Sequence, residues 1–219
     1  VGAQPYALFR EFYISDDASG IIARWQAMDN FILAGSWLKV NEGGSGSGNN
    51  EDIDAYTLTG AFWFNENISL KPSFSYARTT EANSAGGAAL LGTVGAAGAS
   101  LGTGGAALIP GLTATVGSLG GGEAQIFTYG ADFDMSYDNW GLWATLIGQN
   151  GTVDDLAGVF GDVDLKSWLG AVGGNYMFDL GIGLDLHGEF FYSPGDDDPL
   201  DTDVENFFAP IASYYWSEI

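Results

Sequence analysis

The sequence predicts an all-β fold, an antiparallel up-and-down β-barrel of the transmembrane kind, on three observations. First, stretches of roughly ten to twelve residues carry apolar side chains at every second position, the length of a tilted strand crossing a hydrocarbon layer. Second, the connections alternate in length. Two- and three-residue turns at Met28-Asp29-Asn30, Asn65-Glu66-Asn67, Asp138-Asn139 and Asp179-Leu180-Gly181 alternate with long polar or glycine-rich loops near 41–52, 80–123, 150–165 and 194–211. Long loops collected at one end and short turns at the other are expected of an outer-membrane barrel. Third, aromatic residues gather near both strand ends: Phe31, Phe64, Tyr137, Trp140 and Phe178 by the short turns, Trp37, Tyr76, Trp168 and Tyr192 towards the long loops. Amphipathic rings concentrate where hydrocarbon meets headgroups.

The strands follow in order. Those near Tyr6–Ile14, Gly20–Ala27 and Phe31–Val40 alternate irregularly. In Ile53–Phe64, Tyr56, Leu58, Phe62 and Phe64 share one face while Ala55, Thr57, Thr59 and Ala61 share the other. After the turn, Ile68, Leu70, Phe74 and Tyr76 alternate with Ser69, Lys71, Ser73 and Ser75. Ile126–Tyr137, Trp140–Gln149, Lys166–Phe178 and Ile182–Tyr192 repeat the pattern, and a further strand begins near Ala212–Trp216. About nine to ten strands result, within one β-barrel region spanning 1–219. Periodicity alone does not say which face is inside. The large aromatic face would overfill a small barrel interior, whereas the small polar face suits a wet lumen, so the apolar face is expected outward.

The chain has 219 residues, no cysteine, glycine at about twice its usual share and a net charge of -22. Such acidity argues against nucleic-acid binding, which needs a basic surface. The acids concentrate in the long loops, where they solvate exposed chain. No basic and apolar leader opens the chain at Val1, and Ser217-Glu218-Ile219 falls just inside a new strand. The expectation is an interior stretch of a longer barrel, or a mature chain. The segment from Ala82 to Gly122 carries no charged residue, and its glycines and Pro110 argue against a helix. It reads as an external excursion or as a loop folded back into the lumen.

Inward positions decide what passes. By parity these include Arg24, Gln26, Lys71, Asp132, Asp134, Asn175, Asp185, His187 and Glu189, with Arg10 a further candidate on an irregular strand. The pore-lining set is therefore Arg24, Lys71, Asp132, Asp134, Asp185, His187 and Glu189, basic early and acidic late, a transverse field that orients polar solutes. The alternative is that these charges pair across the wall and plug the lumen. Lys39, Arg78 and Lys166 fall on the outward parity beside long loops, where basic side chains snorkel to lipid phosphates. Asp185-x-His187-x-Glu189 puts three ligand types on one face, but same-face neighbours stand about 7 Å apart, too far to share one ion readily. His187 has no G-x-S-x-G partner, so a serine hydrolase is weakly supported and no catalytic residue is expected. Asp196, Asp198, Asp201 and Asp203 have calcium-ligand density without the spacing of an EF-hand; a solvated acidic loop is the plainer reading. No other cofactor is expected.

The run YISDDASGIIARW resembles a segment of the alginate-export-type outer-membrane proteins, as do GLDLHGEFFYSPGDDDP and the following ENFFAPIASYYWSEI. The resemblance implies a porin-like bacterial barrel of about sixteen or eighteen strands. Pores for anionic polyuronates are expected to be lined with Arg and Lys, whereas this chain has six basic residues in all, so alginate itself is not the expected solute. The functional expectation is an outer-membrane, porin-like channel for passive diffusion of small hydrophilic or oligosaccharide-like solutes. Its partners would be outer-membrane lipid and lipopolysaccharide, and homo-oligomers are compatible with it. The alternative is a non-transporting structural or adhesive barrel with acidic, calcium-binding loops.

Overall fold

The computed structural model describes residues 2–10, 12–41, 53–79, 124–153, 162–179, 183–195, 203–205 and 207. They form one all-β sheet. In chain order the strands are β1 (Gly2–Leu8), β2 (Ile14–Met28), β3 (Phe31–Asn41), β4 (Ile53–Asn65), β5 (Ile68–Thr79), β6 (Ala124–Tyr137), β7 (Trp140–Val153), β8 (Val163–Phe178), β9 (Leu184–Tyr192) and β10 (Asp203–Val204). Each of β1 to β8 pairs antiparallel with the next, an up-and-down meander. β10 departs from this: it adds two residues in parallel to β8, opposite Asp164 and Leu165, on the edge that β9 leaves free. Among the described residues no ladder joins β1 to β9.

The turns at Asp29-Asn30, Glu66-Asn67 and Asp138-Asn139 are as expected. Asn and Asp are residues that tight turns favour; at the second of these turns, Asn65 Oδ1 accepts the Asn67 amide at 2.8 Å. Leu180-Gly181, the loops 42–52 and 80–123 and the expected strand at 212–216 lie outside the described residues. β7 and β8 run further than periodicity suggested, to Val153 and from Val163, shortening the connection expected at 150–165. β10 falls inside the stretch read as the last long loop.

The start of the chain differs most. Instead of one strand over Tyr6–Ile14, β1 ends at Leu8, the chain reverses before Ile14, and β2 runs unbroken from Ile14 to Met28. Tertiary burial sets the reversal: Leu8, Phe9, Phe12, Tyr13 and Ile14 are all buried, packed with Ile147, Leu169 and Ala171 of β7 and β8.

This packing shows where the hairpin lies. β2 leaves β3 at the register pair Ser19–Lys39, beside the long-connection end. Continued straight, its tip would stand far outside the sheet. It returns instead across the inner face, with Tyr6 over β3 and β4 and the tip against β7 and β8. Gly20 sits at the bend. A Cβ there would lie 2.1 Å from the Trp37 carbonyl oxygen, so only glycine permits the close approach of the two backbones.

The two faces of the sheet differ. Buried on the face that the hairpin crosses are Thr57, Ser69, Ser73, Ser75, Thr128, Asp132, Thr145, Gln149 and Ser167, beside the apolar Leu38, Ala55, Ala77, Ile126, Ile147, Leu165, Leu169 and Ala171. Exposed on the outer face are Trp25, Leu58, Phe74, Tyr129, Leu146, Leu186 and Phe190, among others. Large contiguous apolar surfaces do not normally face water.

Candidate functional site

The ladders place one residue of each strand beside the next on the face that the hairpin crosses, giving rows across the sheet. The first row is Gly20, Leu38, Ala55, Ala77, Ile126, Gly151 and Leu165. Below it lies a row of short polar groups: Ser36, Thr57, Ser75, Thr128, Gln149 and Ser167. A third contains Arg24, Ala34, Thr59, Ser73, Gly130, Ile147 and Leu169, and a fourth contains Gln26, Lys71, Asp132, Thr145, Ala171 and Phe191. Ser69, Asp134, Trp143, Gly173 and Glu189 make the fifth. His187 and Asp185 follow on β9, opposite Asn175 and Met177.

The pore-lining residues expected from sequence therefore share one face. They are not equally engaged. Lys71, Asp132 and Asp134 are brought together, whereas Arg24, Asp185, His187 and Glu189 are exposed along the same face on β2 and β9. Lys71 Nζ donates to Asp134 Oδ2 at 3.1 Å, and Thr145 Oγ1 donates to Asp132 Oδ1 at 2.6 Å. Arg10 completes the group from the hairpin tip: its Nη2 donates to Asp134 Oδ1, and its guanidinium lies 4.7 Å from the Trp143 ring centroid. A planar cation suits both a carboxylate and an aromatic face.

Trp143 can serve as that platform because Gly173 stands opposite it; a Cβ on Gly173 would lie 2.4 Å from the indole. At the tip itself, Phe9 and Arg10 have φ of 53° and 51°, the left-handed region that bulky side chains avoid, and the Phe12 amide donates to the Phe9 carbonyl at 3.0 Å. Both conformations are sustained by burial of Phe9 and by the contacts of Arg10.

Higher up, the hairpin meets the polar row. The Tyr6 phenol contacts the hydroxyls of Thr57 and Ser36, which also contact each other. Gln149 Nε2 donates to Thr128 Oγ1 at 3.2 Å. Tyr13 is fully buried beside Thr128 and Ser75. The hydroxyls of Tyr13, Ser75 and Ser167 make no hydrogen bond among the described residues.

Sequence reasoning took the inner face as small and polar throughout. The structure adds apolar seats at Leu38, Ile126, Ile147, Leu165 and Leu169. It also adds Trp143 and Tyr13, neither singled out from sequence. The available signal was the run Leu8-Phe9-Arg10-Glu11-Phe12-Tyr13, which breaks period two with the adjacent apolar pairs Leu8-Phe9 and Phe12-Tyr13.

On the outer face, aromatic residues form two groups. Towards the long connections, Trp37, Tyr56, Tyr76 and Phe127 occupy one register row, with Tyr56–Tyr76 and Tyr76–Phe127 centroids 6.3 and 4.9 Å apart. Towards the short turns, Tyr137 stacks on Trp140 at 5.0 Å, Phe62 meets Phe64 at 4.8 Å and Tyr176 meets Phe178 at 4.7 Å. Lys39, Asp54 and Arg78 form a charged row just beyond the upper group.

Asp196, Asp198 and Asp201 lie outside the described residues, and Asp203 is described only as backbone in β10. Among the described residues, no three metal-binding side chains converge. No family model matches this chain, and no curated protein matches it.

Proposed function

We propose that this chain is part of the wall of a bacterial outer-membrane β-barrel of porin type, whose inner face lines a passage for small hydrophilic or oligosaccharide-like solutes. The observation that carries the reading is the contrast between the faces: short hydroxyl side chains, Gln149 and Asp132 are buried on one, beside smaller apolar residues, while large Leu, Phe, Trp and Tyr side chains stand exposed on the other. Hydrocarbon solvates that outer face at no cost, whereas water would not. The aromatic groups support the same orientation. From Phe127 to Tyr137 is ten residues along β6, or about 33 Å. Tilted by about 40°, that separates the two groups by about 25 Å, the height of the apolar band in such barrels. Lys39 and Arg78 would then lie at headgroup level and meet lipid or lipopolysaccharide phosphates. The resemblance to alginate-export-type proteins belongs to this proposal and agrees with it, with a solute other than a polyuronate.

A second reading, a barrel that does not transport, is favoured by one observation. Phe9, Phe12 and Tyr13 occupy the inner face as a packed cluster and leave less room for solute. Planar-bilayer recording from the full-length protein separates the two. Stepwise conductance supports the channel, and a silent bilayer with protein shown to be inserted supports the structural barrel.

A further inference from the structure

Among the described residues, the hairpin tip brings strained backbone, charge, an aromatic platform and burial to one place.

We infer that Arg10 is the positioning residue of an internal plug: it holds the β1–β2 hairpin against the inner face, where it narrows the passage, and offsets the charge of Asp134 there. The inference rests on the proposed channel. Its physical basis is the path of the hairpin. Ile126 and Asp134 are eight residues apart along β6, about 26 Å. The six steps from Gly20 to Ile14, the turn and the Arg10 side chain together span that distance. The hairpin thus descends from the long-connection end to the charged rows, and its last contact is the one Arg10 makes.

The rest of the seat is uneven. Above Arg10, Tyr13 presents a buried hydroxyl to hydroxyls without forming a bond, and buried unsatisfied groups weaken a contact surface. Phe9 and Arg10 hold left-handed backbone that relaxes if the tip is released. Strain and unmet hydrogen bonds favour withdrawal; apolar burial of Phe9 and Phe12 and the Arg10 contacts oppose it. Of these, Arg10 is the element whose loss leaves the apolar core of the wall intact. The ion pair is half exposed, with side-chain exposures of 26% for Arg10 and 32% for Asp134, so it is a modest clasp rather than a permanent lock.

Losing that clasp has a second consequence. Asp134 keeps Lys71 as a partner but loses one of its two cations. The constriction becomes both wider and more negative. Conductance and cation preference should therefore rise together in Arg10→Ala, whereas Asp134→Ala should raise conductance while lowering cation preference. A merely structural role for Arg10 would not produce that opposite pair of selectivity shifts.

The test uses the full-length protein; the 219-residue chain contains no cysteine. Single-channel conductance and reversal potential are recorded for wild type, Arg10→Ala, Asp134→Ala and the exchanged pair Arg10→Asp with Asp134→Arg. In parallel, a Phe9→Cys variant is labelled with a water-soluble maleimide, with and without Arg10→Ala. Removing a half-exposed ion pair should raise the population of the withdrawn hairpin, and so the labelling rate, about fivefold. The exchanged pair should return conductance towards wild type. Unchanged labelling of Phe9→Cys when Arg10 is removed overturns the inference, whether or not the protein conducts. Equal conductance in wild type and both single variants overturns it as well. Failure of the proposed function looks different: the protein does not float with lipid vesicles, while labelling in detergent still reports on the hairpin.

Discussion

The indole of Trp143 lies across Gly173, its partner in the β7–β8 ladder, with no room for even one carbon between them. That pairing turns the ring into a platform for Arg10. Gly173→Ala should push the indole off its seat and disturb Arg10 without altering any charge. Overpacking of this kind costs about 1–3 kcal/mol. Denaturant unfolding of the reconstituted protein measures it; a variant as stable as wild type would mean that the ring has somewhere else to go.

Tyr6 seats the upper half of the hairpin through Thr57 and Ser36. Tyr6→Phe keeps the ring and removes the hydroxyl, at a cost of about 1 kcal/mol. Hydrogen exchange should quicken in β1 and leave β6 and β7 as they were. Uniform exchange across all three would show that the hydroxyl cluster does not anchor the hairpin.

How much of this was legible in the sequence follows from what each residue answers to. β4 and β5 follow parity closely, so Leu58 and Thr57 or Phe74 and Ser75 declare their sides by alternation alone, whereas Trp143 and Ile147 on β7 do not. The short turns were equally local, carried by Asp29-Asn30, Glu66-Asn67 and Asp138-Asn139. The hairpin answers to a partner more than a hundred residues away: Phe9, Phe12 and Tyr13 are buried because Ile147 and Leu169 are there. No window along the chain contains that fact. Gly20 and Gly173 are likewise ordinary letters in a glycine-rich sequence, and only the approach of Trp37 and Trp143 gives them a purpose. The charged group was half read. Lys71, Asp132 and Asp134 followed from parity, while Arg10 required knowing where its strand turned.

Leu146, 61% exposed midway along β7, faces hydrocarbon in the proposed orientation. Leu146→Arg should destabilise the protein in vesicles by about 2–4 kcal/mol, as charge on the lipid face near the midplane does. Arg78→Ala, at the rim, should cost under about 1 kcal/mol. Equilibrium unfolding from vesicles compares the two; equal costs would contradict the assigned depth.

Among the described inner-face residues, Arg10, Arg24 and Lys71 stand against Asp132, Asp134, Asp185 and Glu189. Neutralising Asp185 and Glu189 together, as Asp185→Asn and Glu189→Gln, leaves cations in excess and should move the reversal potential towards anion preference. An unmoved potential would show that β9 does not line the path.

The central claim is that the outer face meets hydrocarbon and the inner face does not. Spin labels on single cysteines at Phe127, Thr128, Tyr129, Leu142, Thr145 and Leu146, in protein reconstituted into vesicles, test it most directly by collision with oxygen, which partitions into lipid, and with a water-soluble nickel chelate. The account predicts high oxygen and low nickel accessibility at Phe127, Tyr129, Leu142 and Leu146, and low oxygen accessibility at Thr128 and Thr145. Nickel access at Leu142 and Leu146 equal to that of an aqueous loop, or no alternation along β6, would contradict it.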